Sequence, residues 1–365
     1  MIFQIPHDLS LKLCIFFDPF KKIHLLKNMI INRTKPINIK EEDECLFSHE
    51  YIKELASGEH KTLFNVFIDS NGYIYHEKGF SVLPQSFSHK RSRFQSLKSL
   101  IKLQLAKRWV ARRSISFKKA LFLTDECSNN YFHWFCDVLA KLESLLDANN
   151  EIGEYTLYIP ASAYSAYVAA SLKFFPNIRI AVIDKDSVAK CDELKIVPPL
   201  APTGNYLPDV MLKLAERVRS NHLGGNLNQR IKKVFISRSL NDRRKIVNES
   251  ELLPVLIQHG FQIVTMESLD FEAQVNLLMH ADVVASIHGA GLTNMLWMPE
   301  GSTVLEIRKA DDAHNNCYFS LASALNHKYY YLIADAVNPK ERAHSANLVI
   351  DIARLDAILK ELKKN

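Results

Sequence analysis

The sequence predicts an α/β protein made of two parallel-sheet domains that face each other across a cleft. Three observations predict it. At 365 residues the chain is long for one hydrophobic core. Short apolar runs of strand length alternate with amphipathic stretches of about ten residues. A polar, Gly-Gly-centred stretch, "SNHLGGNLNQ", divides the alternation into two series. The expected division is residues 1–222, residues 223–340, and a terminal helix, 341–365, packed back on the first half.

The elements follow in order. Around Asn71-Gly72, "FNVFIDSNGYIYHEKG" alternates apolar residues as a hairpin does. "ALFLT" reads as a strand, 130–147 as a helix, "TLYIP" as a strand and 162–175 as a helix. "IRIAVID" and "LKIVPP" read as strands, and 208–221 closes the first series as a helix. Past the linker, "KVFIS" is a strand. Asn248 is expected to cap the next helix, with Glu251 as its capping-box partner and Gly260 as the stop. "FQIVTM" is a strand, 271–280 a helix behind Asp270, and "DVVASI" a strand. A short helix at 292–298, the strand "TVLEI", a helix at 315–325, the strand "YYYLIA" and a helix at 351–363 complete the chain.

Composition narrows the function classes. Hydrophobic content of 47% and charged content of 24% are those of an ordinary globular protein. Eleven Lys or Arg residues and no acid lie between Lys90 and Lys119, whereas the remainder has 35 basic and 40 acidic residues. The stretch 90–119 carries Leu97, Leu100, Ile101, Leu103, Leu105, Trp109 and Val110 among its cations. It reads either as a solvated basic surface or as an amphipathic face for an anionic membrane. No recognisable nucleic-acid module accompanies it, so nucleic acid is not an expected partner. The six cysteines form no Cys-x-x-Cys pair and read as free thiols. No run approaches the roughly 18 apolar residues that span a bilayer, and "LKLCIFF" lacks the flanks of a secretory signal. A cytoplasmic protein, peripheral at most, is the expectation.

Three segments carry chemistry. In "DVVASIHGAGLTNMLWMPEGSTVLEI" a strand stops at His288-Gly289-Ala290-Gly291, ahead of Thr293 and Asn294. Glycines between a strand and a helix let the backbone approach an anion, which the helix N–H groups then hold. The alternative is a tight left-handed turn. The segment lacks the third glycine of a dinucleotide fingerprint and the Gly-Lys-Ser/Thr of a phosphate loop. In "VFISRSLNDRRKIVNESE", Arg238, Arg243 and Arg244 follow a strand on the same sheet face. They suit a diphosphate or form a solvated loop. In "NNYFHWFCDVLAKLESLL", His133 and Asp137 share a helix face. Such a pair serves as a general base or simply as a satisfied structural contact. Asp184 and Asp186, after "IRIAVID", are the metal-binding alternative.

"NYFHWFCD", "FISRSLNDRRKIVNESEL" and "IHGAGLTNMLWMPEGSTVLEI", in this order, resemble glycosyltransferase family 61, over roughly 120–335. The resemblance implies a GT-B-like fold of two Rossmann-like domains, and inverting transfer from a nucleotide sugar, a UDP-sugar first, with no metal cofactor. It also implies a glycan or lipid-linked acceptor in bacterial cell-surface polysaccharide (capsule or lipopolysaccharide) synthesis. By position, Arg238 and Arg244 would contact the diphosphate, and His288, Gly289, Ala290 and Gly291 would line the nucleotide pocket. Thr293 and Asn294 would add polar contacts, and Glu306 would accept from the ribose. Asp137 comes first as the base, with His133 orienting the acceptor. A catalytically inactive sugar-binding relative, or a metal-dependent transferase using Asp184 and Asp186, is the alternative.

Overall fold

The computed structural model describes residues 28–56, 58, 60–76, 114–148, 150–185, 187–222, 232–241 and 243–362. Most of the basic stretch 90–119, most of the expected linker and Asp186 lie outside them.

The first half is a six-stranded sheet in the order β4–β3–β8–β5–β6–β7. Its strands are β3 (Lys61–Asp69), β4 (Ile74–His76), β5 (Ser114–Phe122), β6 (Thr156–Pro160), β7 (Arg179–Ile183) and β8 (Val188–Ile196). The last four pair in parallel, and the β3–β4 hairpin joins β8 antiparallel. Gly72 turns the hairpin in the left-handed region, φ 79°, where a side chain is disfavoured.

The second half is a six-stranded sheet in the order β10–β9–β11–β12–β13–β14. It comprises β9 (Lys233–Ile236), β10 (Gln262–Val264), β11 (Val283–Ile287), β12 (Thr303–Lys309), β13 (Lys328–Ala336) and β14 (Leu348–Val349). The first five are parallel and β14 is antiparallel. β11 is buried at all five positions, as a strand covered on both faces must be. The second strand in sequence lies outside the first, so the order reverses between β9 and β11. Ligands of open parallel sheets bind at such a reversal, beyond the carboxyl ends of the strands.

One hydrophobic core crosses both halves. Phe135 stacks on Phe271 at 5.1 Å and meets the edge of Trp297 at 5.2 Å. Tyr131 on the same helix donates to Asn294 Oδ1 at 2.7 Å.

Three expectations change. The segment carrying β1 (Asn28–Asn32) and the helix Glu44–Tyr51 packs on the second sheet, not the first. Phe47 sits 5.0–6.1 Å from the rings of Phe319, Tyr329 and Tyr331, and Asn38 exchanges hydrogen bonds with the Tyr331 backbone. The terminal helix Ile352–Glu361 also belongs to the second half, where Leu355 and Leu359 join Leu252, Leu256 and Tyr330. Asn248 makes no side-chain cap. Its amide pairs with both backbone groups of Ile350, at 2.9 and 3.0 Å. That bond ties the helix Glu249–Gln258 to the chain end, and a long-range partner has displaced the local one. Among the described residues no helix is long and apolar enough to cross a membrane.

Candidate active site

Arg238 and His288 leave the carboxyl ends of the adjacent strands β9 and β11, where the strand order reverses. The glycines after His288 serve close packing rather than a left-handed turn. Gly289 is extended, φ 169°. A Cβ there would stand 2.6 Å from Arg238 Nη1, and one on Gly291 would stand 3.0 Å from Ile236 Cγ2. The backbone thus lies directly against a guanidinium group. Arg244 holds a left-handed φ of 56°, which costs on the order of a kcal/mol for a side chain of this kind. In that conformation its Nη1 donates to the His288 carbonyl at 3.0 Å.

The two arginines are short of partners. Nε of each is buried without a hydrogen-bond acceptor, and buried donors in native proteins are rarely left so. Burial lowers the Arg238 pKa, and the like charge of Arg244 lowers it further. Two guanidinium groups close enough to feel each other's charge, each with a buried Nε lacking an acceptor, have the chemistry that suits a polyvalent anion.

Behind His288 lies a buried polar chain. Its Nδ1 is 2.5 Å from Glu306 Oε1, and Tyr329 donates to Glu306 Oε2 at 2.5 Å. Arg308 Nη1 lies 3.3 Å from the Tyr329 hydroxyl and 3.9 Å from Glu306 Oε2, with its guanidinium 4.8 Å over the Phe47 ring. Glu306 is 0% exposed. Both of its oxygens are engaged, so it holds His288 and is not open to a ribose. Thr293 and Asn294, 0% and 1% exposed, also point inward. Asn294 Oδ1 accepts from Tyr131 and Trp297, and its amide donates to Gln274 and Gly291. Asn294 fastens the two halves together instead of meeting a ligand.

His133 stands on a helix that opens with Tyr131–His133, widens to a π-helix over Trp134–Leu139 and returns to α over Ala140–Ala148. Asn130 caps it, its Oδ1 accepting from the Phe132 N–H at 2.9 Å. Single π turns recur at functional sites. His133 Nδ1 is 2.7 Å from Asp137 Oδ2. A hydrogen bond from Nδ1–H to the carboxylate leaves Nε2 as an acceptor. His133 lines a cavity that Arg244 and His288 also line, whereas Asp137 lines a separate, smaller pocket with Tyr206.

That cavity, about 320 Å³, collects His133, Asn130, Phe132, Arg244, His288 and Ala290. Asp184 follows the edge strand β7 and does not line it. Among the described residues no group of three or more His, Cys, Asp or Glu is placed to hold a metal ion.

Residues 131–305 match the family model described as Glycosyltransferase 61. Over this segment, a little under half of the chain, the protein is similar to the glycosyltransferase 61 family. The chain is 32% identical over 120 residues to the EGF domain-specific O-linked N-acetylglucosamine transferase of Drosophila melanogaster, covering 32% of this chain and 22% of that protein. Against the protein O-linked-mannose beta-1,4-N-acetylglucosaminyltransferase 2 of Mus musculus, identity is 37% over 109 residues, 29% of this chain and 18% of the relative. Its counterpart from Xenopus laevis is 44% identical over 78 residues, 20% and 13% of the two chains. The matched stretches thus span about a fifth of these relatives' length.

The glycosyltransferase 61 segment contains His133, Asp137, Arg238, Arg244 and the His288–Asn294 run. Sequence reasoning missed the other walls of the cavity, which come from outside that segment: Glu50, His314 to Tyr318, and His344. It also missed the turn Thr203-Gly204-Asn205. Gly204, with φ 86° and a would-be Cβ 3.3 Å from Cys317 Cβ, was the available signal there.

Proposed function

We propose that this chain is an inverting glycosyltransferase of GT-B-like arrangement that takes its sugar from a nucleotide diphosphate, with UDP as the nucleotide. The observation that carries this reading is the pair of buried, unpartnered guanidinium Nε donors at the strand-order reversal, Arg238 against Gly289 and Arg244 on the His288 carbonyl. These groups supply the counter-charge for the leaving diphosphate, and no step calls for a metal. The family match and the sugar transferases among the relatives support the same reaction class.

The geometry favours His133, rather than Asp137, as the base, because the imidazole lines the cavity and the carboxylate stands behind it. An acceptor hydroxyl, on a glycan or a lipid-linked sugar, gives its proton to His133 Nε2. Its oxygen bonds to the anomeric carbon while the bond from that carbon to the phosphate oxygen breaks. The electron pair leaves on the diphosphate, which Arg238 and Arg244 receive. Asp137 keeps Nε2 unprotonated before the reaction and stabilises the imidazolium formed during it. Release of UDP from a panel of UDP-sugars, with and without EDTA, tests this reading. Turnover that persists in EDTA supports it, and loss of turnover in EDTA overturns the metal-independent form.

A further inference from the structure

The wall of the cavity that comes from the N-terminal segment has features that bulk packing does not require. Arg33, its side chain 1% exposed, donates from Nη1 to the Glu50 carbonyl at 2.6 Å and to Glu50 Oε2 at 2.7 Å. From Nη2 it donates to Asn205 Oδ1 at 2.6 Å. One buried guanidinium therefore fixes Glu50, on a segment docked against the second sheet, beside Asn205 of the first half. Lys53 donates to Glu50 Oε1 at 2.7 Å.

These bonds hold the side chains without exhausting them. A carboxylate offers about four acceptor positions, and Glu50 lines the cavity with one hydrogen bond to each oxygen, from Arg33 and Lys53, and His49 Nε2 at 3.7 Å from Oε1. Asn205, which lines the same cavity, spends its oxygen on Arg33, so its amide N–H groups are the donors it has left for a ligand. Asn130 spends its oxygen on the helix cap and likewise keeps its amide donors. Phe132 adds a ring to that lining. Acceptors, donors and one aromatic surface, held by a buried scaffold next to His133, match a ring bearing adjacent hydroxyls and carrying no net charge.

We propose that Glu50 and Asn205, positioned by Arg33, form the subsite that recognises the hydroxyls of a pyranose acceptor. The inference rests on the transferase reading above. Glu50 lies outside the matched segment 131–305, so the subsite gives this chain an acceptor preference distinct from what that segment encodes.

The experiment is calorimetric titration of UDP-saturated protein with the methyl glycosides of glucose, galactose, mannose, xylose and N-acetylglucosamine. At least one glycoside should bind, and Glu50→Gln should weaken it roughly 10- to 100-fold, the value of hydrogen bonds to a charged group. UDP affinity should not change. Lys53→Met removes the Lys53–Glu50 ion pair, leaving those with Arg33 and His49, at a residue outside the cavity lining, and should leave glycoside affinity within about twofold. The proposal is overturned if no glycoside binds the UDP-loaded protein, if Glu50→Gln binds as well as the native chain, or if Lys53→Met is as damaging as Glu50→Gln. Failure of UDP itself to bind sinks the transferase reading and this inference with it, an outcome distinct from the other three.

Discussion

Arg238 Nη1 occupies the space where a side chain on residue 289 would begin, 2.6 Å from the position of a Cβ. Gly289 is extended, a conformation that any residue adopts. The requirement for glycine is therefore a requirement for the guanidinium. Gly289→Ala should leave thermal stability nearly unchanged and displace Arg238. UDP affinity measured by calorimetry should fall roughly 10- to 100-fold, the value of a charge-assisted hydrogen bond. A large drop in melting temperature with native affinity would reverse that assignment.

His133 and Asp137 should behave as one unit. His133→Ala and Asp137→Asn should each lower turnover by about 10²- to 10⁴-fold and leave UDP affinity within twofold. The double variant should be little worse than the worse single one, because groups acting together are not additive. Multiplicative losses in steady-state kinetics would separate the two residues.

Glu306 stands 3.9 Å from the buried Arg308 guanidinium and hydrogen-bonds His288. Glu306→Gln takes the nearest carboxylate from the buried Arg308 guanidinium and leaves it only the more distant charge of Asp312, a change worth about 3 kcal/mol. Urea denaturation should show a loss of that order together with weakened UDP binding, since His288 loses its anchor. Native stability in this variant would mean that the pair is not coupled as its geometry implies.

His327 sets a limit on acid stability. Burial lowers its pKa from 6.5 to about 4, only partly opposed by its bond to the Met295 carbonyl. The depressed value means that folding favours the neutral ring. Its contribution is complete above pH 6.5 and is lost as pH falls towards 4, in total about 3 kcal/mol. Denaturation midpoints at pH 7, 5.5 and 4.5 should show this slope, and His327→Gln should flatten it. An equally steep slope in the variant would place the titration elsewhere.

The parallel segments were legible because their periodicity is local. Pro208–Asn221 falls where its apolar spacing places it, and Asp270 caps the helix Phe271–Met279 by accepting from the Ala273 N–H at 2.8 Å. The misreadings all involve distant partners. Asn248 lies 102 residues from Ile350 in sequence, and that bond replaces the expected cap. In the sequence Glu306 reads as a strand tip, where a ribose ligand would stand, but it lies within β12, and the pairing of β11 with β12 brings His288 to its carboxylate. Phe47 reaches Phe319 and Tyr331 across most of the chain, so no pattern near residue 47 reveals that the N-terminal segment walls the cavity.

The central claim is that Arg238, Arg244 and the His288 turn bind the diphosphate of a sugar nucleotide. Its most direct test is calorimetry of UDP and of uridine against the native chain and Arg244→Ala, in EDTA. UDP should bind the native protein, uridine should bind much more weakly, and Arg244→Ala should narrow this difference about tenfold or more. Equal binding of UDP and uridine, or native UDP affinity in Arg244→Ala, would contradict it.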